Sequence, residues 1–138
     1  MYDIPLDLFQ RRLLVMLVRS PIRHMPTRAR DREILFRAVT RGLPADPTDE
    51  RTLNDALRSW LGHVAPSIGV DHVSLRRYLV EVGYLEREDD GSAYRVVSSP
   101  RTAPTFDPRV DEVDVASLVT ASRAEVEQRR QLHPPTLV

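Results

Sequence analysis

A chain of 138 residues with 20 arginines, 20 acidic residues and neither lysine nor cysteine is long enough for one domain with a real core and too short for two independent ones. Without cysteine, disulfides, thiolate metal sites and a cysteine nucleophile are all excluded. The formal net charge of zero hides a gradient: residues 1–41 carry nine Arg against four Asp/Glu, residues 42–98 six against ten, and residues 99–138 five against six. Phosphate binding depends on such local balances rather than on the total.

The first helix is expected from Pro5 to Ser20, with Pro5 at its start and Asp7 near the positive end of the dipole. Its second half, LLVMLV, is apolar on every side and has to be covered on more than one face, by the domain or by a second copy of the chain. The run from Leu13 to Val18 is far short of the roughly 20 residues that a membrane span needs. Arg11, Arg12 and Arg19 flank it and no cleavage pattern follows, so a soluble cytoplasmic protein is expected, with no membrane association. Pro21 ends this helix. After the extended link His24-Met25-Pro26, Thr27 is placed to cap a second helix running to about Arg41, with Ile34, Leu35, Ala38 and Val39 inward. Gly42 and Pro44 close it, and Asp46 with Pro47 is expected to start a third. There Leu53, Leu57, Trp60, Leu61 and Val64 share a face, and Trp60 is expected to anchor the core.

The most informative stretch runs from Val70 to Val97. Asp71 is a good N-cap, Leu75, Leu79 and Val82 recur at helical spacing, and Gly83 stands where a left-handed residue closes a helix. Tyr84 to Glu88 and Ala93 to Val97 then read as strands joined by a tight turn at Asp90-Gly91. A short helix, a glycine stop and a hairpin form the second half of a winged helix. Ser98 to Pro108 is an extended connector. From Pro108 a helical pattern resumes through Val110, Val113, Val115, Leu118, Val119 and Val126, with Arg129 and Arg130 in its last turn and Pro134-Pro135 as its stop. The expected fold is thus mainly α with a small β-hairpin: an apolar N-terminal helix over residues 1–23, a winged-helix-like domain over 24–98, and a connector with an amphipathic helix over 99–138.

The segment from His24 to Val97 resembles a bacterial domain of unknown function that occurs alone or fused behind ArsR-type winged-helix regulators. The residues that carry the resemblance are MPTRARDREILFRAV, TLNDALR, VDHVSLRRYLVEVGYLERE and GSAYRV. The resemblance implies a regulator, by the company such domains keep. The chain departs from the pattern at Asp46-Pro47-Thr48, where an aromatic residue is usual, which counts against a full first strand of a winged sheet.

The candidate nucleic-acid contacts are Ser74, Arg76 and Arg77 on the fourth helix and Arg28, Arg30 and Arg32 at the start of the second. Arginine clamps phosphate or a guanine edge bidentately, and a hydroxyl binds either. The competing expectation pairs Arg77 with Glu81, gives Arg76 an acid on a neighbouring helix, and sets Asp31 and Glu33 among Arg28, Arg30 and Arg32 on a solvated face. Glu86, Glu88, Asp89 and Asp90 crowd the hairpin, which disfavours its tip as a phosphate contact. No two of the four histidines have the spacing of a helical metal site, and His72 beside Asp71 reads as a helix-start residue rather than an acid/base pair. No catalytic or cofactor fingerprint is present, so no enzyme, cofactor or metal is expected. The expected function is a DNA-associated transcriptional regulator, a homodimer through its terminal helices that binds double-stranded DNA. The alternative is a protein-interaction or dimerisation module.

Overall fold

The computed structural model describes residues 1–98 and 100–132; the expected Pro134-Pro135 stop lies outside the described residues. Helix α1 (Leu6–Leu14) starts at Pro5 and passes into a π-helical turn, Val15–Arg19, that ends before Pro21. Helix α2 spans Ala29–Arg41. Thr27 does not cap it: Arg28 holds that position without a side-chain cap bond, and the Arg32 guanidinium folds back to donate to the Thr27 and Pro26 carbonyls at 3.1 and 3.4 Å. Helix α3 (Glu50–His63) is capped by Asp49, whose carboxylate accepts from the Thr52 N–H at 2.8 Å, and not by Asp46. The cause is the chain just before it. Thr48 is extended, and exchanges two backbone hydrogen bonds of 2.9 and 2.8 Å with Tyr94, so no helix can begin until it has passed.

Helix α4 (His72–Glu81) has Asp71 as its cap, accepting from the Ser74 N–H at 2.7 Å, and Gly83 at φ +88° turns the chain out of it. Only a residue without a Cβ takes that conformation without strain. Strands β1 (Leu85–Arg87) and β2 (Tyr94–Val96) pair antiparallel, Leu85 opposite Val96 and Arg87 opposite Tyr94. With the Thr48 bridge on its other side, β2 lies in the middle. The tail forms two pieces rather than one helix, a 3₁₀ turn at Pro108–Glu112 and helix α5 at Val115–Leu132. Each has its own aspartate cap: Asp107 accepts from the Arg109 N–H at 3.0 Å and Asp114 from the Ser117 N–H at 3.1 Å.

Helix α2 is the axis of the core. Ile34, Leu35, Phe36, Ala38 and Val39 are all buried, and so are Arg37 and Thr40 between and beyond them. Thr40 satisfies its hydroxyl by donating back to the Phe36 carbonyl at 3.0 Å. Arg37 grips Asp111 bidentately through two bonds of 2.9 Å, donates to the Ser98 carbonyl, and lies 5.0 Å from the centre of the Phe106 ring. Tyr84 is buried where the hairpin meets α2, its hydroxyl donating to Glu33. Burial, and then the bond to Glu33, push this phenol far above its ordinary range.

The apolar first helix is covered within the chain. Phe9, Leu13, Met16 and Leu17 are buried beside the tail residues Phe106, Val110, Val115 and Val119 in one cluster, and the Phe9 and Phe106 rings meet edge to face at 6.3 Å. Ile4 pairs with the chain at Thr105 and Asp107 through backbone bonds of 2.9 and 3.0 Å. Arg123 of α5 donates to the carbonyls of His63 and Val64 at 2.8 Å and of Leu17 at 3.5 Å, so it closes the open ends of α3 and of the π turn together. The terminal helices therefore meet in one chain, and the packing reason for expecting a homodimer through them is removed.

The helix caps carry a pH dependence. Hydrogen bonds from the side chain and backbone of Thr52 hold Asp49 below the ordinary value of 3.8, and those from the backbone and side chains of Ser74 and Ser117 do the same for Asp71 and Asp114. A carboxylate depressed by folding stabilises the fold above that ordinary value and loses its contribution as pH falls through the folded pKa. The urea midpoint is therefore expected to drop below about pH 4. Combining Asp49→Asn, Asp71→Asn and Asp114→Asn, which keep the caps but not the charges, should make that drop shallower while leaving the neutral midpoint nearly unchanged, the remainder coming from Asp3, Asp90 and Asp107, which hydrogen bonds also hold low. An equally steep acid limb would assign the titration to other groups.

Candidate functional surface on helix α4

Helix α4 turns Leu75 and Leu79 inward, which settles the direction of everything else on it. Ser74, Arg77, Tyr78 and Glu81, spaced at i, i+3, i+4 and i+7, form the outer stripe and line a shallow groove of about 270 Å³. Tyr78 is 39% exposed although its ring stacks on Phe36, with centroids 6.4 Å apart. Val80 also reaches solvent, at 37%.

The two candidate arginines of this helix have different fates. Arg76 points sideways into the domain: it donates to Asn54 Oδ1 at 2.6 Å, lies 3.4 Å from Glu50, and stands 5.7 Å from the centre of the Tyr94 ring. Its side chain is 17% exposed. The Tyr94 hydroxyl in turn donates to Glu50 at 3.3 Å, so four side chains join α3, α4 and β2. This is the expected acid on a neighbouring helix, and both contacts, made through Nη1, hold the guanidinium against the domain. Arg77 is exposed, and its expected pairing with Glu81 does not form: among the described residues no carboxylate lies within ion-pair distance of it. Ser74 is exposed one turn earlier, beside the capped end of the helix.

The arginines at the start of α2 also divide. Arg28 and Arg30 are exposed, whereas Arg32 is half-buried and spent on the Pro26 and Thr27 carbonyls. The acids expected among them on a solvated face are elsewhere. Asp31 is buried and held bidentately by Arg12 through two bonds of 3.0 Å, and Glu33 receives the Tyr84 hydroxyl. Nothing in the structure brings Arg28 or Arg30 onto the α4 stripe.

The hairpin presents Glu86, Glu88, Asp89 and Asp90 to solvent. Only Glu86 is answered directly, by Arg95 across the strands, and Arg87 lies against the Tyr94 ring instead. Asp90 is occupied within the turn, accepting from the Ser92 N–H at 2.9 Å and from its hydroxyl at 2.6 Å. His72 sits in the first turn of α4, its Nε2 3.4 Å from Arg58, while the Asp71 carboxylate faces the helix end. Among the described residues no three His, Asp or Glu side chains gather where a metal ion could bind, and no helix is long and apolar enough to cross a membrane.

These elements define a helix-rich domain with a small hairpin that leaves one helix face open. A family model matches residues 21–96, and the chain belongs to that family, an uncharacterised group conserved in bacteria (DUF2087). No curated protein and no solved structure matches the chain.

Proposed function

We propose that the protein is a non-enzymatic, DNA-associated regulator of winged-helix type, acting in the cytoplasm, that sets α4 in the major groove. The observation that carries this reading is the outer stripe of α4: the terminal helices pack elsewhere and leave Ser74, Arg77 and Tyr78 exposed and facing outward together. Support comes from the element order, since α2, the Thr48 bridge, α3, α4 and the hairpin, with β2 central, follow the plan of a winged helix. In that plan a helix reads base edges while arginine supplies the bidentate contact to guanine.

The acidic hairpin sets the mode of binding. Four exposed carboxylates near a phosphate backbone repel it, so contact is confined to α4 and its surroundings, with two or three phosphates neutralised rather than six to ten. Titration of a labelled duplex pool should then show affinity falling about ten- to forty-fold between 50 and 200 mM salt. No binding at low salt, or binding indifferent to salt, would overturn the reading.

A second reading, a protein-interaction or dimerisation module, is favoured by one observation: Tyr78 and Val80 are large apolar groups left in solvent on the same helix. Sedimentation equilibrium separates the two. A dimer lost on Tyr78→Ser, in a protein that ignores DNA, assigns the α4 face to a second copy.

A further inference from the structure

A second concavity lies away from the α4 stripe, between the last turn of α2, the second half of α3 and the junction that starts α5. It is an open groove of about 700 Å³, within the size range of small-molecule sites. Its apolar wall is Ala56, Trp60, Val64 and Val115; its charged groups are Arg41 and Asp114, and Ser59 and His63, whose ring is bonded through Nδ1 to the Ser59 carbonyl at 2.8 Å, add a polar edge.

Both charges have capacity to spare. Arg41 Nε lies 2.7 Å from Asp111 Oδ1, on a carboxylate already gripped by Arg37. Among the described residues no hydrogen bond engages the two terminal nitrogens of Arg41, the fork that matches a carboxylate. The oxygens of exposed Asp114 each accept one bond from Ser117, at 3.1 Å from its N–H and 2.8 Å from its hydroxyl. A carboxylate oxygen has a second lone pair, and an ammonium group has three donors.

We propose that this groove binds a zwitterion with an apolar side chain, a free α-amino acid or a dipeptide, its carboxylate on Arg41, its ammonium on Asp114 and its side chain against Trp60. The charges select this class. A simple anion meets repulsion from Asp114 and a simple cation meets it from Arg41, whereas a molecule with both ends satisfies each side chain and leaves the buried wall to the apolar part. The inference does not depend on what α4 contacts.

Trp60 is the only tryptophan of the chain, so its fluorescence reports occupancy directly. The full chain is titrated with L-phenylalanine and L-leucyl-L-leucine, and with 2-phenylethylamine and 3-phenylpropionate as analogues that lack one charge. A zwitterion should saturate the signal at a concentration lower by about tenfold or more than either analogue, and whichever of amino acid and dipeptide saturates first names the occupant. Asp114→Asn, which keeps the α5 cap, should weaken binding by about tenfold, and Ala56→Leu should abolish it by filling the wall, both with an unchanged circular dichroism spectrum. Equal responses to all four compounds, no saturation with any of them, or full affinity in Asp114→Asn would overturn the proposal.

Discussion

Arg37→Ala is expected to lower folding stability by about 2–3 kcal/mol, less than the cost of breaking a fully buried ion pair because Asp111 is 27% exposed and keeps Arg41. That is a large part of the roughly 5–15 kcal/mol that holds a domain together. The reason is position. Arg37 is on the central helix with its side chain 9% exposed, and the groups it serves, Asp111, the Ser98 carbonyl and the Phe106 ring, all lie on the returning tail. Removing the guanidinium strands Asp111 against the core, with only Arg41 left to answer it. Urea unfolding followed by Trp60 fluorescence measures the effect. Arg130→Ala serves as the contrast, since that arginine is 72% exposed and 3.8 Å from its partner Glu127, and its midpoint should not move. An Arg37→Ala midpoint as stable as that of Arg130→Ala would mean that the tail is held by its apolar contacts alone.

The adjacent arginines of α4 should fail in opposite ways. Arg76→Ala removes the link between Asn54, Glu50 and Tyr94, and should cost about 1–2 kcal/mol of stability, less than a fully buried pair because Glu50 is half in water. Arg77→Ala touches nothing inside and should leave stability within about 0.5 kcal/mol. Under the proposed function it should nonetheless weaken duplex binding by about 1–3 kcal/mol, roughly five- to 150-fold. Unfolding curves and duplex titrations on both variants give four values. A loss of affinity with Arg76→Ala that exceeds the loss with Arg77→Ala would transfer the contact away from the outer stripe.

What could be read from the residues alone follows the range of the interactions concerned. The Asp71 cap, the inward Leu75 and Leu79, the Gly83 stop and the hairpin all rest on neighbours within a turn or two, so spacing and backbone preference were enough. The cap of α3 was misplaced for a related reason. Asp46 and Asp49 are both good caps beside a helix, and the choice between them was made by Thr48 pairing with Tyr94, which is 46 residues away in the chain. The break at Val113-Asp114 has no local signal, because the valines on either side keep a helical rhythm through it.

The candidate surface was legible in the same degree. Ser74 and Arg77 are outward because Leu75 and Leu79 are inward, a consequence of helical geometry. Arg76 was one of two open readings, and only its Asn54 partner, 22 residues earlier on α3, decides between them. The basic excess of the first 41 residues is even less of a patch than it looks. Arg12 is taken by Asp31, Arg37 by Asp111, and Arg32 by backbone carbonyls. The groove beside Trp60 had no sequence signal at all, because its two charged groups are separated by 73 positions and meet only when the tail returns.

The covering of α1 has a consequence for biosynthesis. The helix holding Leu13, Met16 and Leu17 leaves the ribosome ahead of its cover: Phe106, Val110, Val119 and the Arg123 clamp follow about a hundred residues behind, an interval of roughly 5–20 s at ordinary elongation rates. During that time part of its oily surface has no cover of its own. A ribosome stalled before Phe106 would hold that helix with the side facing the tail still open to water.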